Sequence, residues 1–540
     1  GIGFGAFAVD DSTAFTQKEL PPISFNYLGQ FDTQQEDWQI LAEESGISMH
    51  PSNLDHNLID INGLVSNGKL GFSITTRLGE ETTLQLSYSL KSHLKSIINH
   101  CLETLEKDGS SYTPSDFNSV RLSQSLLDIL HSEARATQNE IEHIYPAGSL
   151  QQGFIYHALS QTDDDAYRVQ ELYDYHQAID VDKYISAWQS CIAKYPILRT
   201  AFNWDEEIIQ IIYKKGKLEY MIHDISELTT QQARNEQIET IRNEDIKRRF
   251  DLTRPALLRL HIIKQSEDLY TIIKTNHHSI TDGWSGPVLL TSLHQYYEAF
   301  TTNRRISIKE DTAYLEAQEY ISKHKSTITE YWDKTLAEVD TENDINALLS
   351  KPIDFSSYRR VNKPDTISLE NNGKIYDKLK SFCQSEGITI NVILQFIWHK
   401  LLQAYSGNTR SIVGTTVSGR NLPIEGIEES VGVYINTLPL VIDWENNDTI
   451  HAQLHKVQQK ITELNSRGFA DLAKLQRKGE RLFHSLFVFE NYPSSVINSK
   501  DALKLSIRNE IEKVDYPFCV SAYEQNSSLT INLKYDAVHL

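Results

Sequence analysis

Hydrophobic and polar positions repeat along the chain with two different periods, one typical of strands and one typical of helices. Residues 268–275 are rich in β-branched and aromatic side chains and predict a buried strand, whereas residues 288–300 carry apolar side chains at helical spacing. Nearer the carboxyl end, a helical pattern at residues 391–405 precedes a strand-like run at 411–417. Helical and strand-like runs that alternate throughout a chain predict an α/β fold.

The two ends of the chain share a pattern. Residues 83–89 alternate apolar and polar side chains and are followed by a helical run at 90–105, and residues 530–536 repeat that alternation just before the chain stops. We therefore expect both ends to be cut from a longer polypeptide. A first domain would then lack its beginning, and a second would lack its final helix.

A polar segment, residues 106–140, separates the two regions. It contains Gly109-Ser110-Ser111 and a proline at position 114, as interdomain linkers do. The apolar stretch 122–129 interrupts it and predicts a short helix that docks on a neighbouring domain. The alternative is a disordered tether.

Composition places the chain among ordinary globular enzymes. Its 540 residues allow two to four structural units, with 40% hydrophobic and 23% charged residues. A net charge of −21 disfavours nucleic acid and anionic membranes as partners, although a local patch could still dock a protein. The four cysteines have no metal or redox spacing, and neither a secretory signal nor a long apolar span occurs, so we expect a cytoplasmic protein.

His277, His278, Asp282 and Gly283 form an HHxxxDG motif between the predicted strand and the predicted helix. On extended backbone, neighbouring side chains point to opposite faces. One histidine can therefore face a cleft while the other turns into the body of the protein.

Three other interpretations compete for this motif. Adjacent histidines are poorly placed to chelate one metal ion, and neither an HExxH nor a CxxC pattern accompanies them. A serine nucleophile elbow needs GxSxG, but Pro287 stands where the last glycine should be. A lone histidine pair is most often a hydrogen-bonded part of the core, and this interpretation stays open on the motif alone.

Further segments, in a fixed order, accompany the motif. They lie at residues 145–153, 194–202, 413–420, 431–439 and 486–493. Together with HHxxxDG, they resemble the signature segments of the condensation domains of nonribosomal peptide synthetases, in a superfamily that includes chloramphenicol acetyltransferase. The resemblance implies an α/β fold of two similar lobes arranged as a V, at residues 141–315 and 316–540, with His278 at their junction.

The resemblance also implies the roles of the motif residues. His278, the second histidine, faces the reaction channel and is the catalytic candidate, acting as a base, as an orienting group or as a hydrogen-bond donor to the intermediate. His277 belongs to the supporting motif. Asp282 is structural and pairs with Arg199, because a planar guanidinium binds a carboxylate through two bonds.

The remaining motif residues have supporting roles. Gly283 lets the backbone turn close to the channel, where a Cβ would intrude. Trp284 and Ser285 pack against and cap the helix that follows.

The implied reaction is peptide-bond formation by an acyltransferase. A donor aminoacyl or peptidyl thioester, held on the phosphopantetheine arm of an upstream carrier protein, is attacked by the amine of an acceptor on a downstream carrier. The domain itself needs no cofactor and no metal. Its implied partners are the two peptidyl carrier proteins and an adjacent adenylation domain, without nucleic acid or membrane.

The first residues resemble a different domain. Residues 1–6 and 23–31 are similar to the last two segments of an epimerization domain, so residues 1–105 are expected to be its carboxyl-terminal remnant. A donor with a D-configured terminal residue would then reach the condensation domain, and the segment 149–153 fits that subtype. This expectation rests on analogy and domain order.

Three alternatives to this function stay open. The same fold could form esters or use coenzyme A, the HHxxxDG domain could itself be an epimerase, or the chain could be a non-catalytic docking platform. The segment 431–439 favours condensation over the first two. Intact His278, Asp282 and Arg199 disfavour a platform, which has no need of them.

Overall fold

A computed structural model describes most of the chain. The described residues are 22–30, 57–66, 68–108, 112–160, 167–337, 345–355, 358, 361–445, 447–475, 481–490, 503–511 and 516–540. The glycine-rich start and the last residues of the segment 486–493 lie outside them. Contacts divide the chain into two units, residues 1–112 and residues 113–540, and the division falls within the predicted linker.

The first unit contains a small sheet and a long helix. Its elements are β1 (Ile23–Gln30), β2 (Ile59–Ser66), β3 (Lys69–Thr76) and α1 (Glu80–Asp108). Strand β2 is central, parallel to β1 and antiparallel to β3.

Residues 83–89 are helical, because α1 already begins at Glu80. The partly buried positions Thr83, Leu86 and Leu90 recur at helical spacing, whereas Leu84 is 50% exposed. The alternating residues therefore do not share one buried face. Acidic residues in the first turn also favour a helix start through its dipole.

The second unit is a mixed α/β structure. Its helices are α2 (Gln124–Ala136), α3 (Ser149–Ser160), α4 (Val181–Lys194), α5 (Gln231–Lys247), α6 (Ser285–Thr301), α7 (Thr312–Ala337), α8 (Gly373–Glu386), α9 (Ile390–Ser406), α10 (Ile450–Ser466) and α11 (Leu472–Leu475). Its strands are β4 (Ile141–Pro146), β5 (Arg168–Tyr175), β6 (Thr200–Asn203), β7 (Ile209–Tyr213), β8 (Glu219–Asp224), β9 (Leu258–Ser266), β10 (Leu269–His277), β11 (Pro364–Asn372), β12 (Arg410–Val417), β13 (Asn436–Asp443), β14 (Ser485–Glu490), β15 (Leu505–Ile511), β16 (Phe518–Gln525) and β17 (Ser528–Asp536). The predicted strands at 268–275 and 411–417 and the predicted helices at 288–300 and 391–405 are confirmed, and residues 530–536 lie in β17.

Two sheets organise two hydrophobic cores within the described residues. The amino-terminal core packs α4 and α6 on a sheet of order β15-β5-β10-β9-β8. The carboxyl-terminal core packs α9 and α10 on a sheet of order β11-β17-β16-β14-β12-β13. A smaller sheet, β4-β7-β6, adjoins the first core. Strand β10 is buried along nearly its whole length, although it includes Thr271, Lys274 and Thr275, and the buried Lys274 forms an ion pair with Glu171.

Strand β15 lies on the other side of the predicted lobe boundary at residue 315 from the sheet that it joins. It comes from the carboxyl-terminal half, yet it pairs antiparallel with β5 of the amino-terminal sheet. An ion pair of 2.5 Å between Arg508 Nε and Asp174 Oδ2 accompanies the pairing. Sequence continuity therefore assigns this strand to the wrong sheet, because β5 offers it an open row of backbone donors and acceptors.

Helix α2 overlaps the predicted docking stretch and extends beyond it. Ser123 caps its start by accepting a hydrogen bond from the Leu126 N–H at 3.1 Å. Leu127 and Leu130 are buried, and Asn139 just beyond the helix donates to the Lys215 carbonyl at 2.8 Å. These contacts describe a docked segment and not a loose tether.

Among the helices of the described ranges, none combines the length and the apolar character that crossing a membrane requires.

Candidate functional site

The HHxxxDG residues lie where β10 ends and α6 begins. The His277 N–H donates to the Leu257 carbonyl at 2.9 Å, which continues the sheet pairing, and the His278 N–H donates to the Tyr167 carbonyl at 2.8 Å. The chain then turns and enters α6 at Ser285. The predicted order of strand, loop and helix is confirmed.

His277 turns into the body of the protein. It is 4% exposed, and its Nδ1 accepts the Ser279 N–H at 3.2 Å and lies 2.8 Å from the Ser279 hydroxyl. Burial, reinforced by the positive charges that His278 and Arg168 can carry, lowers its pKa to about 3. His277 is therefore a neutral structural residue, as histidine pairs in protein cores usually are.

His278 is only partly buried and makes a different set of contacts. Its Nδ1 lies 2.8 Å from the Thr281 carbonyl oxygen, which can only accept, so Nδ1 carries the proton and donates it. In the neutral ring the basic lone pair is then on Nε2. Phe154 stacks on the imidazole at 5.0 Å between ring centroids and an angle of 28°, which fixes the orientation of the ring.

Asp282 joins the motif to the carboxyl-terminal half of the chain. Its Oδ1 accepts from the Ser285 N–H at 2.9 Å and from Arg420 Nη2 at 3.2 Å. Its Oδ2 accepts from the backbone N–H of Tyr434 at 3.0 Å. A carboxylate with no exposed side-chain surface is thereby satisfied from both sides of the junction.

The predicted pairing of Asp282 with Arg199 is wrong. Arg199 is buried in the amino-terminal lobe, where it forms ion pairs with Glu142 at 2.7 Å and with Glu310. It also donates to the Tyr213 carbonyl at 2.7 Å. Arg199 therefore binds β4 and β7 together, and its five donors are directed away from the motif.

Arg420 takes the place expected for Arg199. It is 5% exposed and donates from Nη1 to the Ile427 carbonyl at 2.6 Å and to the Ser430 carbonyl at 2.9 Å. Gly419 before it has φ +65°, and a Cβ there would lie 1.9 Å from the Tyr434 carbonyl oxygen. The resemblance had singled out the segment 413–420, but nothing in that segment identified Asp282 as the partner of Arg420.

Ser285 and Trp284 pack as expected but do not cap α6. The Ser285 hydroxyl donates at 2.7 Å to Asp282 Oδ1 and is also within hydrogen-bond distance of the Gly432 carbonyl, at 2.9 Å. Trp284 makes no side-chain cap and donates from Nε1 to the Glu428 carbonyl at 2.9 Å. The capping prediction is wrong, because Asp282 receives the Ser285 N–H instead.

Gly283 is exposed and does not have a positive φ. Its predicted role beside a channel therefore does not depend on a left-handed backbone, and it stays a prediction.

Buried neutral histidines predict a marked loss of stability in mild acid. Burial is the main cause that lowers the pKa of His277 to about 3, of His294 to about 4 and of His399 to about 3. The unfolded chain binds protons at these positions below about pH 6.5, while the folded chain does not until about pH 3–4. The stabilisation is thus complete above pH 6.5 and is lost as the pH falls, by about 3 kcal/mol for the three groups between pH 6.5 and 5.5.

Urea unfolding at the two pH values measures this difference. The variant His399→Gln should reduce the pH dependence by about 1 kcal/mol, the share of one of these three groups. A free energy of unfolding that stays constant between pH 6.5 and 5.5 would show that these histidines are protonated in the folded state.

Comparison with known proteins identifies the family that this chain matches. The Condensation domain family model matches residues 141–539. The chain is 36% identical over 423 residues to N-(5-amino-5-carboxypentanoyl)-L-cysteinyl-D-valine synthase of Penicillium rubens, covering 75% of this chain and 11% of that synthase. It is 30% identical to one of the mycosubtilin synthase polypeptides of Bacillus subtilis, covering 91% of this chain and 19% of that polypeptide.

The fold also has solved counterparts. The starter condensation domain of the rhizomide synthetase aligns with a TM-score of 0.58 at 14% identity, covering 74% of this chain and 92% of that one. The likeness supports the chloramphenicol acetyltransferase-like α/β class. The chain spans at most a fifth of the length of the two synthases described above.

Proposed function

Because this chain belongs to the condensation-domain family, we propose that it forms the peptide bond between two carrier-bound substrates in nonribosomal peptide synthesis. The reaction is an acyl transfer. The acceptor amine attacks the donor thioester carbonyl, a C–N bond forms, the C–S bond breaks, and the thiol of the donor arm leaves. The observation that supports this best is the partly buried His278, held with Nε2 as its basic atom beside the junction of the two lobes.

His278 is the proposed catalytic residue. An α-amine has a pKa of about 7.7–8.0, so a fraction of the acceptor is already neutral near pH 7. A second proton must leave as the tetrahedral intermediate forms, and the Nε2 lone pair of His278 is suited to accept it. The same atom, once protonated, can donate a hydrogen bond to the departing groups.

Positioning supplies much of the remaining rate. Two tethered reactants held in reacting geometry avoid about 7–11 kcal/mol of a bimolecular barrier. The Asp282–Arg420 pair supports this role, because it fixes the loop of His278 against the carboxyl-terminal half of the chain.

The proposed partners follow from the same reaction. The substrates arrive on the phosphopantetheine arms of an upstream and a downstream carrier protein, and an adenylation domain loads the acceptor. The domain itself requires no cofactor. We place the reaction in the cytoplasm, as the cysteine pattern predicts.

We further propose that residues 1–105 belong to an epimerization domain and that the donor has a D-configured end. A single-turnover assay with purified donor and acceptor carriers tests both the reaction and its stereochemistry. We expect the dipeptide on the acceptor carrier, detected by intact-protein mass spectrometry, to form at least about tenfold faster from the D donor than from the L donor.

The other outcomes separate the alternatives. Equal rates from both donors would contradict the stereochemical proposal and leave condensation intact. Transfer from a coenzyme A thioester without carriers would favour a coenzyme A-dependent acyltransferase. Carrier binding without any transfer would favour a docking platform.

A further inference from the structure

We propose that Glu386, His451 and His455 form a binding site for one Zn²⁺ ion on the surface of the carboxyl-terminal lobe. Their three candidate ligand atoms lie within 4.8 Å of one another. Glu386 is partly buried, and both histidines are exposed and accessible to an ion from solution. This inference is independent of the peptide-bond reaction, and it departs from the expectation that the domain carries no metal.

The local sequence builds the site from two helices. His451 and His455 are four residues apart in the first turns of α10, so their side chains lie on the same face. Glu386 is the last residue of α8, and Gly387 ends that helix with φ 66° in the left-handed region. The glycine stops the helix with the carboxylate 2.9 Å from the imidazole of His451.

The distances suit tetrahedral zinc. Zinc binds imidazole nitrogen at about 2.0–2.1 Å and carboxylate oxygen at about 2.0–2.2 Å, so tetrahedral ligands lie about 3.3 Å apart. The Nε2 atoms of His451 and His455 are 3.3 Å apart, and His451 Nε2 is 2.9 Å from Glu386 Oε2. The third pair, Glu386 to His455, lies within 4.8 Å, and both histidine side chains are exposed and free to rotate towards a common ion.

Hydrogen bonds among the three residues do not satisfy all three ligand atoms at once. Each Nε2 has a single position that holds either a proton or a lone pair. If His451 donates to Glu386, it has no lone pair left for His455, and if it accepts from His455, it points a lone pair at a carboxylate. A metal ion at the centre accepts a lone pair from all three atoms at once.

Of the acidic residues near the two histidines, Glu386 is the one that we expect to bind the ion. Lys456 lies next to His455, but its charge is balanced by Glu445 at 3.0 Å and by Asp448 at 3.9 Å. Glu445 and Asp448 are therefore already paired with Lys456. Two imidazoles and one carboxylate favour zinc over Mg²⁺ or Ca²⁺, which prefer oxygen ligands, and a water completes a tetrahedral site.

Zinc titration of the untagged full chain, after treatment with a chelator, tests the site. Isothermal calorimetry should give one site with a dissociation constant in the micromolar range, and Co²⁺ should give the visible absorption of a tetrahedral complex. Glu386→Gln and His455→Gln should each weaken Zn²⁺ binding by about 100-fold or more, because even loss of a group that only supports a ligand costs about 10–100-fold.

The matched control is His324→Gln, which removes an exposed histidine from α7 that bonds to the Tyr320 carbonyl of the same helix. This variant should bind Zn²⁺ as the parent does. The ligand variants are surface changes, and a circular dichroism spectrum like that of the parent shows that they are folded. Binding that is unaffected by both ligand variants, or no site tighter than millimolar in the folded parent, would overturn the proposal and leave an ion pair beside a histidine contact.

Discussion

Replacing His278 with alanine should lower the single-turnover rate of peptide-bond formation by about 10²-fold or more, the usual contribution of general acid–base catalysis. The change removes the basic Nε2 while leaving the Asp282 contacts in place, because none of them involves the imidazole. Rapid-quench measurement with preloaded carriers isolates this step from substrate loading. The exposed His324→Ala variant should retain the parent rate.

The pH dependence separates proton transfer from positioning. If His278 accepts the proton, the parent rate should fall more steeply in acid than ionisation of the amine explains, and in His278→Ala only the fall due to the amine should remain. A folded His278→Ala protein with nearly full single-turnover activity would rule out an essential proton transfer by this residue.

Breaking the Asp282–Arg420 pair should produce the largest loss of stability. Asp282 is 0% and Arg420 is 2% exposed at the side chain, so removal of either leaves the other charge buried without its partner. Such changes cost about 3–5 kcal/mol. Urea unfolding of Arg420→Ala and Asp282→Ala, each compared with the parent, measures the cost.

A double-mutant cycle refines the test. Removing both partners should destabilise the protein by much less than the sum of the single changes, because no orphan charge remains. The control Arg254→Ala breaks a pair whose side chains are 78% and 56% exposed and should change stability by about 0–1 kcal/mol. An Asp282→Ala protein of parental stability would contradict the structural role given to this carboxylate.

The sequence predicts the elements around the site better than the contacts between them. The strand pattern at residues 268–275 and the helical pattern at residues 288–300 are local signals, and the structure contains both elements. Burial of one histidine and partial exposure of the next also follows from the strand period.

The partner of Asp282 could not be obtained in that way. Arg199 and Arg420 are both buried and both stand in recognisable segments, so residue type does not distinguish them. The ion pairs decide which arginine binds Asp282. Arg199 is paired with Glu142 and Glu310, whereas the backbone at Gly419 directs Arg420 to Asp282. Ion pairs between residues far apart in sequence depend on tertiary packing, and no periodic pattern in the sequence predicts them.

The helix at residues 83–89 shows a related limit. A run of alternating apolar residues is compatible with either period when it is short. The acidic first turn and the partly buried positions that continue at helical spacing to Leu94 favour the helix.

The pairing of β15 with β5 has a consequence for how the protein folds during synthesis. Leu505 pairs with Tyr175, which leaves the ribosome more than 300 residues earlier. At about 5–20 residues per second, β5 waits for roughly 15–65 s before its neighbour exists. During that interval the backbone donors and acceptors of β5 that later pair with β15 form an open sheet edge. Synthesis of the carboxyl-terminal segment that contains β15 therefore sets the time at which this edge of the amino-terminal sheet is closed.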